Sequence, residues 1–261
     1  EIGVRLVGSE MCIRDRNHVS FQYEAGVKAL DDVSLTIRPG TVTALVGESG
    51  GGKSTVANLI ARFWDVSEGS VTVGGVDVRE LDYADWMKHI SIVFQDTNLF
   101  KMSVAENVAM YKPGASREEI MEALRQARCE DILENLPNGV DSVIGARGVY
   151  LSGGEMQCIA LARAILKDAP IVLLDEATAF ADAENEYLIQ RALDILLHGK
   201  TVLMIAHRLQ TIVHADQIIV MQRGGIAEQG THEELMQRQG VYAKMYHEYE
   251  NSVSWKIGGW A

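Results

Sequence analysis

Hydrophobic positions early in the chain fall into short runs. Val19 to Tyr23, Val33 to Ile37 and Thr41 to Val46 are rich in β-branched and aromatic residues and are bounded by Gly, Pro and Asp, the pattern of strands closed by turns. The third run ends in a glycine-rich stretch, beyond which Val56 to Ile60 has helical character. Val71–Val73 and Val76–Val78 flank Gly74-Gly75 and predict a hairpin; a further strand is expected over Ile90–Phe94. The spacing then turns helical: Ser103–Met110, Ser116–Arg128 and Glu130–Leu136 predict three helices, the second opened by a capping box of Ser116 and Glu119. After Ser152 helix and strand alternate again, with a helix to Lys167, a strand at 171–175, a helix at 183–197 and strands at 201–205, 216–220 and 226–229. Parallel strands require such crossovers, and uniformly apolar runs suit a sheet covered on both faces. His232 to Tyr249 predicts two short helices, and the residues beyond give no clear element.

The expected fold is α/β: a mixed, largely parallel core sheet, an antiparallel β subdomain at the N-terminal side and a helical lobe inserted at 99–166. Residues 1–16 resemble a translated sequencing-adapter string and are expected to be a non-native or disordered leader, with order beginning near His18. The domain proper is placed at 17–250 and a tail at 251–261.

Composition narrows the function classes. Acidic residues outnumber basic ones, 36 to 24, so the net charge of −12 repels polyanions and argues against a nucleic-acid partner. The three cysteines, Cys12, Cys129 and Cys158, are far apart and form no C-x-x-C pair, which suits a reducing compartment and suggests neither a disulfide framework nor a structural zinc. The longest apolar runs are strand-sized, well short of a bilayer span.

The most specific chemistry lies at Gly47-Glu48-Ser49-Gly50-Gly51-Gly52-Lys53-Ser54-Thr55, which matches G-x-x-x-x-G-K-S/T between a predicted strand and a predicted helix. Glycines let backbone amides turn toward phosphate oxygens, and the helix terminus adds its dipole. Lys53 is expected to reach the β- and γ-phosphates of ATP, and Ser54 to coordinate Mg²⁺. Ile171 to Leu174 is a buried-type strand ending in Asp175 and Glu176, at the carboxyl edge where open α/β sheets bind ligands. Asp175 suits the Mg²⁺ shell and Glu176 the deprotonation of attacking water. His207 follows the strand at 201–205, where it can hydrogen-bond the γ-phosphate or the water; taken alone such a histidine is more often a capping or packing residue, and the surrounding motifs favour the phosphate role. Gln95, after its own strand, can offer a side-chain carbonyl to Mg²⁺ or the water.

Leu151-Ser152-Gly153-Gly154-Glu155 opens a helix. Ser152 and Glu155 have capping-box spacing, yet two glycines in a first turn cost about 1 kcal/mol each relative to Ala. Ser152, Gly153 and Gly154 therefore make a second anion site. One ATP is already wrapped by 47–55, so this site is expected to serve another ATP or another molecule's ATP, and dimerisation follows naturally.

Taken together, these motifs resemble the nucleotide-binding domain of ATP-binding-cassette transporters over residues 18–248. The resemblance implies a phosphate-loop NTPase fold, two cassettes (a homodimer or heterodimer) joined head to tail around two ATP molecules, and a helical lobe that meets the coupling helices of a transmembrane domain. It places Tyr23 on adenine and Asp182, in Ala179-Phe180-Ala181-Asp182, at the dimer seam. It likens Gly145-Ala146-Arg147-Gly148 to a loop that senses those helices. Departures are clear too: Glu155-Met156-Gln157-Cys158 replaces the commoner Gln-Arg-Gln-Arg. The segments after Asp175 and His207 are similar to exporter-like half-transporters, including multidrug, lipid and siderophore members, some of which import. A longer protein is then implied, with a membrane domain before residue 18 and the cassette at the cytoplasmic face of the plasma membrane, soluble when isolated. A soluble cassette ATPase of translation or DNA maintenance, a cassette without turnover and a small-molecule kinase are the competing readings. The first normally carries a linker or coiled coil missing from this sequence, the second sits poorly with Glu176, and the third leaves 151–155 unexplained.

Overall fold

The computed structural model describes residues 13–23, 26–94, 98–145, 148–175, 183–206 and 208–258. Along the chain run strands β1 (Ile13–Gln22), β2 (Lys28–Ile37) and β3 (Val42–Gly47), helix α1 (Lys53–Ile60), strands β4 (Thr72–Val73) and β5 (Val76–Asp77), and helix α2 (Tyr83–Lys88). Then come β6 (Ile90–Val93), β7 (Met102–Ser103), α3 (Val104–Ala109), α4 (Arg117–Gln126), α5 (Glu130–Asn135) and β8 (Val143–Ile144). The remainder holds α6 (Gly153–Lys167), β9 (Ile171–Asp175), α7 (Ala183–Leu197), β10 (Thr201–Ile205), β11 (Gln217–Gln222), β12 (Gly225–Gly230), α8 (His232–Arg238) and α9 (Val241–Gly258). These form two compact units, one ending at Met87 and resuming at Thr201, the other spanning Lys88–Lys200.

In the first unit β3 lies between β10 and β11, parallel to both, with Val42 opposite Val202 and Leu45 opposite both Ile205 and Ile219. Thr43 to Val46 are buried, as a strand covered on both faces requires. β12 pairs antiparallel with β11 through Arg223 and Gly224, both at positive φ, the conformation a two-residue hairpin turn needs. Ala44, Val46, Leu209, Ile218, Val220 and Leu235 form the core beneath, and Tyr242 of α9 completes it. A second, antiparallel sheet has the order β2-β1-β4-β5. The predicted hairpin is present, but Val78 leaves it to begin a 3₁₀ turn that the Asp77 carboxylate caps through the Arg79 amide. α2 escaped the sequence reading; its Trp86 is buried and donates to the Ile60 carbonyl at 3.0 Å, satisfying an acceptor left over at the end of α1.

In the second unit β6 and β9 pair in parallel, Ile90 opposite Ile171 and Val93 opposite Leu174. α6 is central to this unit and packs against α3, α4, α7 and β6. Asn107 of α3 is fully buried; its amide donates to the carbonyls of Phe100, Met102 and Ser103 and accepts from the Phe100 amide, so one side chain shapes the loop before its own helix. Arg163 of α6 donates to the Asn107 carbonyl at 2.9 Å and to its side-chain oxygen.

Two boundaries differ from expectation. β1 begins at Ile13, five residues before His18, because that stretch finds partners: Ile13 stands opposite Ile37 of β2 and Val73 of β4. Residues 1–12 lie outside the described residues. α9 continues past Tyr249 to Gly258, with no proline or glycine before that last residue to stop it.

Candidate functional site

The first unit carries the glycine-rich loop at 47–52. β3 ends at Gly47, whose φ of +139° and contact with β11 tolerate no side chain: a Cβ would stand 2.0 Å from the Met221 carbonyl oxygen. Gly52 is as constrained, at φ +98°, with Leu30 Cδ2 2.6 Å and the Ala29 oxygen 2.8 Å from a Cβ position. The Gly51 amide donates to the Glu48 carbonyl at 3.1 Å, closing the turn. Lys53 is 5% exposed and its ammonium donates to the carbonyls of Gly47 and Glu48 at 2.9 and 2.8 Å, so the cation is held over the loop. α1 then begins with Gly52 as its N-cap, no side-chain cap and no acidic residue in its first turn. Amides at a helix start carry partial positive charge, and neither the cap nor the first turn of this helix supplies a carboxylate to compensate it. A loop that a Cβ would fill, a lysine ammonium and an uncapped helix start fit a polyphosphate.

Ser54 is exposed, whereas Thr55 is buried and accepts from the Tyr23 hydroxyl at 3.2 Å. Tyr23 itself is exposed, near the glycine loop, with Phe21 and Trp64 both nearly perpendicular to it at 4.8 and 5.5 Å. Trp64 was missed in the sequence reading. Its signal was slight, the second of two adjacent aromatics in Arg62-Phe63-Trp64-Asp65 after a predicted helix, and nothing local ties it to Tyr23.

In the second unit Asp175 ends β9 half-buried, after four buried apolar residues. It also lines a cavity of about 460 Å³ with Phe94, Phe100, Tyr111, Arg163 and Lys167. The three aromatics are exposed, and both cations lie over the Tyr111 ring, Arg163 at 5.8 Å and Lys167 at 5.1 Å. Burial lowers the pKa of each. The Lys167 ammonium donates to the Ile90 carbonyl.

At the start of α6 the capping box is formed: the Ser152 hydroxyl accepts from the Glu155 amide at 3.3 Å and the Glu155 carboxylate accepts from the Ser152 amide at 2.7 Å. Ser152 is exposed and Gly154 buried. Cys158, one turn along, is buried, and desolvation pushes its thiol up to about 11, so it packs as an inert apolar group. Gln95, Glu176, Asp182 and His207 lie outside the described residues, as do Ala146 and Arg147. Among the described residues no group of three His, Cys, Asp or Glu side chains could hold a metal, and no helix is long and apolar enough to cross a membrane. Exposed Ser54 and half-buried Asp175 present oxygen donors of the kind Mg²⁺ prefers.

Comparison with known proteins gives a consistent picture. Residues 30–179 match the family model described as ABC transporter. The mycobactin import ATP-binding/permease protein IrtA of Mycolicibacterium thermoresistibile is 52% identical over 230 residues, covering 88% of this chain and 25% of that protein. The ATP-dependent lipid A-core flippase of Legionella pneumophila is 48% identical over 229 residues, covering 88% of this chain and 39% of the relative. Among solved structures, a bacterial Atm1-family ABC exporter with ATP bound aligns with a TM-score of 0.87 at 38% identity, over 93% of this chain and 42% of that one. The chain thus spans between about a quarter and two fifths of the length of these relatives.

Proposed function

This chain belongs to the ABC transporter family, and from that premise we propose that it is an ATP-hydrolysing cassette of the exporter type and assign the part each residue plays. The amides of Gly50, Gly51, Gly52 and the first turn of α1, with Ser49 beside them, hold the ATP phosphates, and the Lys53 ammonium exchanges loop carbonyls for β- and γ-phosphate oxygens. Mg²⁺, when bound, neutralises charge on those oxygens, and Ser54, Asp175 and Gln95 are its protein-side donors. Glu176 accepts the proton of the attacking water as its oxygen bonds to the γ-phosphorus and ADP departs; His207 and Gln95 orient the reacting groups. Tyr23 receives the adenine ring.

One observation carries the reading: a glycine cradle leads into a helix that has neither a capping side chain nor an acid in its first turn. An ATP bound there is closed, in this proposal, by Ser152, Gly153 and Gly154 of a second cassette arranged head to tail, with Asp182 at the seam. ATP hydrolysis by the isolated chain then rises faster than linearly with protein concentration, because two chains must meet; a strictly linear rate with ATP demonstrably bound would overturn the pairing.

The partner beyond the second cassette is a transmembrane domain, and the chain works at the cytoplasmic face of the membrane that holds it. The exposed aromatics Phe94, Phe100 and Tyr111 around the cavity of the second unit support a docking place for a coupling helix of that domain. Transport is outward by the family type. Import is the second reading, favoured by the identity to the relative named for mycobactin import. Uptake and extrusion measured with the whole transporter in sealed vesicles separate the two.

A further inference from the structure

The Tyr23 ring is fixed from several sides. Phe21, buried, meets it at 4.8 Å and 88°, and Trp64, half-exposed, at 5.5 Å and 87°; Trp64 also approaches Phe21 at 6.3 Å. The phenol is held as well: its hydroxyl donates to Thr55 Oγ1 at 3.2 Å and accepts from Asn58 Nδ2 at 3.4 Å, both on α1. Trp64 follows the end of the same helix, where the Phe63 amide donates to the Asn58 carbonyl at 2.9 Å and Arg62 reaches the Leu81 carbonyl at 2.7 Å. One eight-residue helix therefore begins in the phosphate loop and, through Thr55, Asn58 and the turn that presents Trp64, orients the exposed tyrosine.

Edge-to-face rings attract through their quadrupoles, and a ring restrained before a base arrives loses less freedom on stacking. Trp64 leaves half its surface in water, although packing alone would bury an indole more completely. We propose that Trp64 is a positioning residue for nucleotide binding: it locks the Tyr23 ring in the orientation that receives a purine base, so that base and phosphates are both registered to α1. The proposal rests on Tyr23 being the adenine platform.

The test compares two ligands that share the phosphate loop and differ in the base. Dissociation constants for Mg-ATP and for magnesium tripolyphosphate are measured by calorimetry on the 261-residue chain and on Trp64→Ala, Trp64→Phe and Tyr23→Ala. Trp64→Ala is expected to weaken ATP binding about threefold to tenfold while tripolyphosphate binding holds within about twofold, and Trp64→Phe to recover most of the loss. Equal weakening of both ligands marks a merely structural role and overturns the proposal, as does unchanged ATP binding by Trp64→Ala while Tyr23→Ala binds ATP weakly. If Tyr23→Ala itself binds ATP normally, the platform reading fails first, and the role of Trp64 falls with it.

Discussion

Two helices of this chain begin in glycine-rich sequence and treat their first turns in opposite ways. α1 follows Gly52, which offers no side chain to the helix amides, and has no acid in its first turn. α6 follows Ser152, whose hydroxyl and the Glu155 carboxylate satisfy each other's backbone amides. The same reciprocal box starts α3 with Ser103 and Glu106, α4 with Ser116 and Glu119, and α8 with Thr231 and Glu234. Between cap and glutamate those three helices carry Val104-Ala105, Arg117-Glu118 and His232-Glu233. The box therefore works without glycine, and capping does not explain Gly153 and Gly154. A helix start must find acceptors for its amides: α6 brings its own, whereas α1 has none from its cap or its first turn. In the proposed function that task falls to the ATP phosphates, and the bare Gly153-Gly154 backbone serves a second cassette's ATP.

The strongest test of this division freezes hydrolysis so that both helix ends stay loaded. Glu176→Gln is expected to cut ATP turnover about a thousandfold while Mg-ATP still binds. The solution mass of that variant should then shift from monomer to dimer when Mg-ATP is added; a monomer with ATP bound would separate the two helix starts and break the comparison. Next in size is Gly47→Ala. A methyl group driven against the Met221 carbonyl displaces the loop, and calorimetry should show Mg-ATP affinity down about a hundredfold. Lys53→Ala follows, with affinity about tenfold to a hundredfold lower, since the variant loses a charge-assisted contact; unchanged affinity would remove the lysine from the phosphates.

The smallest effect sharpens the comparison most. Ser152→Ala and Ser116→Ala each remove a cap oxygen from a capping box and should each cost about 1 kcal/mol in denaturant unfolding. ATP-dependent dimerisation, measured on the Glu176→Gln background, should fail only for Ser152→Ala. Equal dimerisation by both variants would make the start of α6 an ordinary capped helix.

Residues close in sequence determined much of this protein. The strand, glycine-rich loop and helix around Lys53 were legible because they are contiguous, and the Ser116–Glu119 box because its partners are one turn apart. The buried strand ending at Asp175 was legible because burial on both faces leaves an unbroken apolar run. Tertiary structure decided what depends on which strands and loops become neighbours. Gly47 excludes a side chain because of Met221, Gly52 because of Leu30 and Ala29, and Ile13 belongs to a strand because Ile37 and Val73 face it. Trp64 acquired its place beside Tyr23, and Arg163 its place on Asn107, at sequence separations of 41 and 56. Hydrophobic periodicity states which face of an element is buried and carries no record of the neighbour it will meet, so contacts of this kind exist only once the sheets have chosen their order and register.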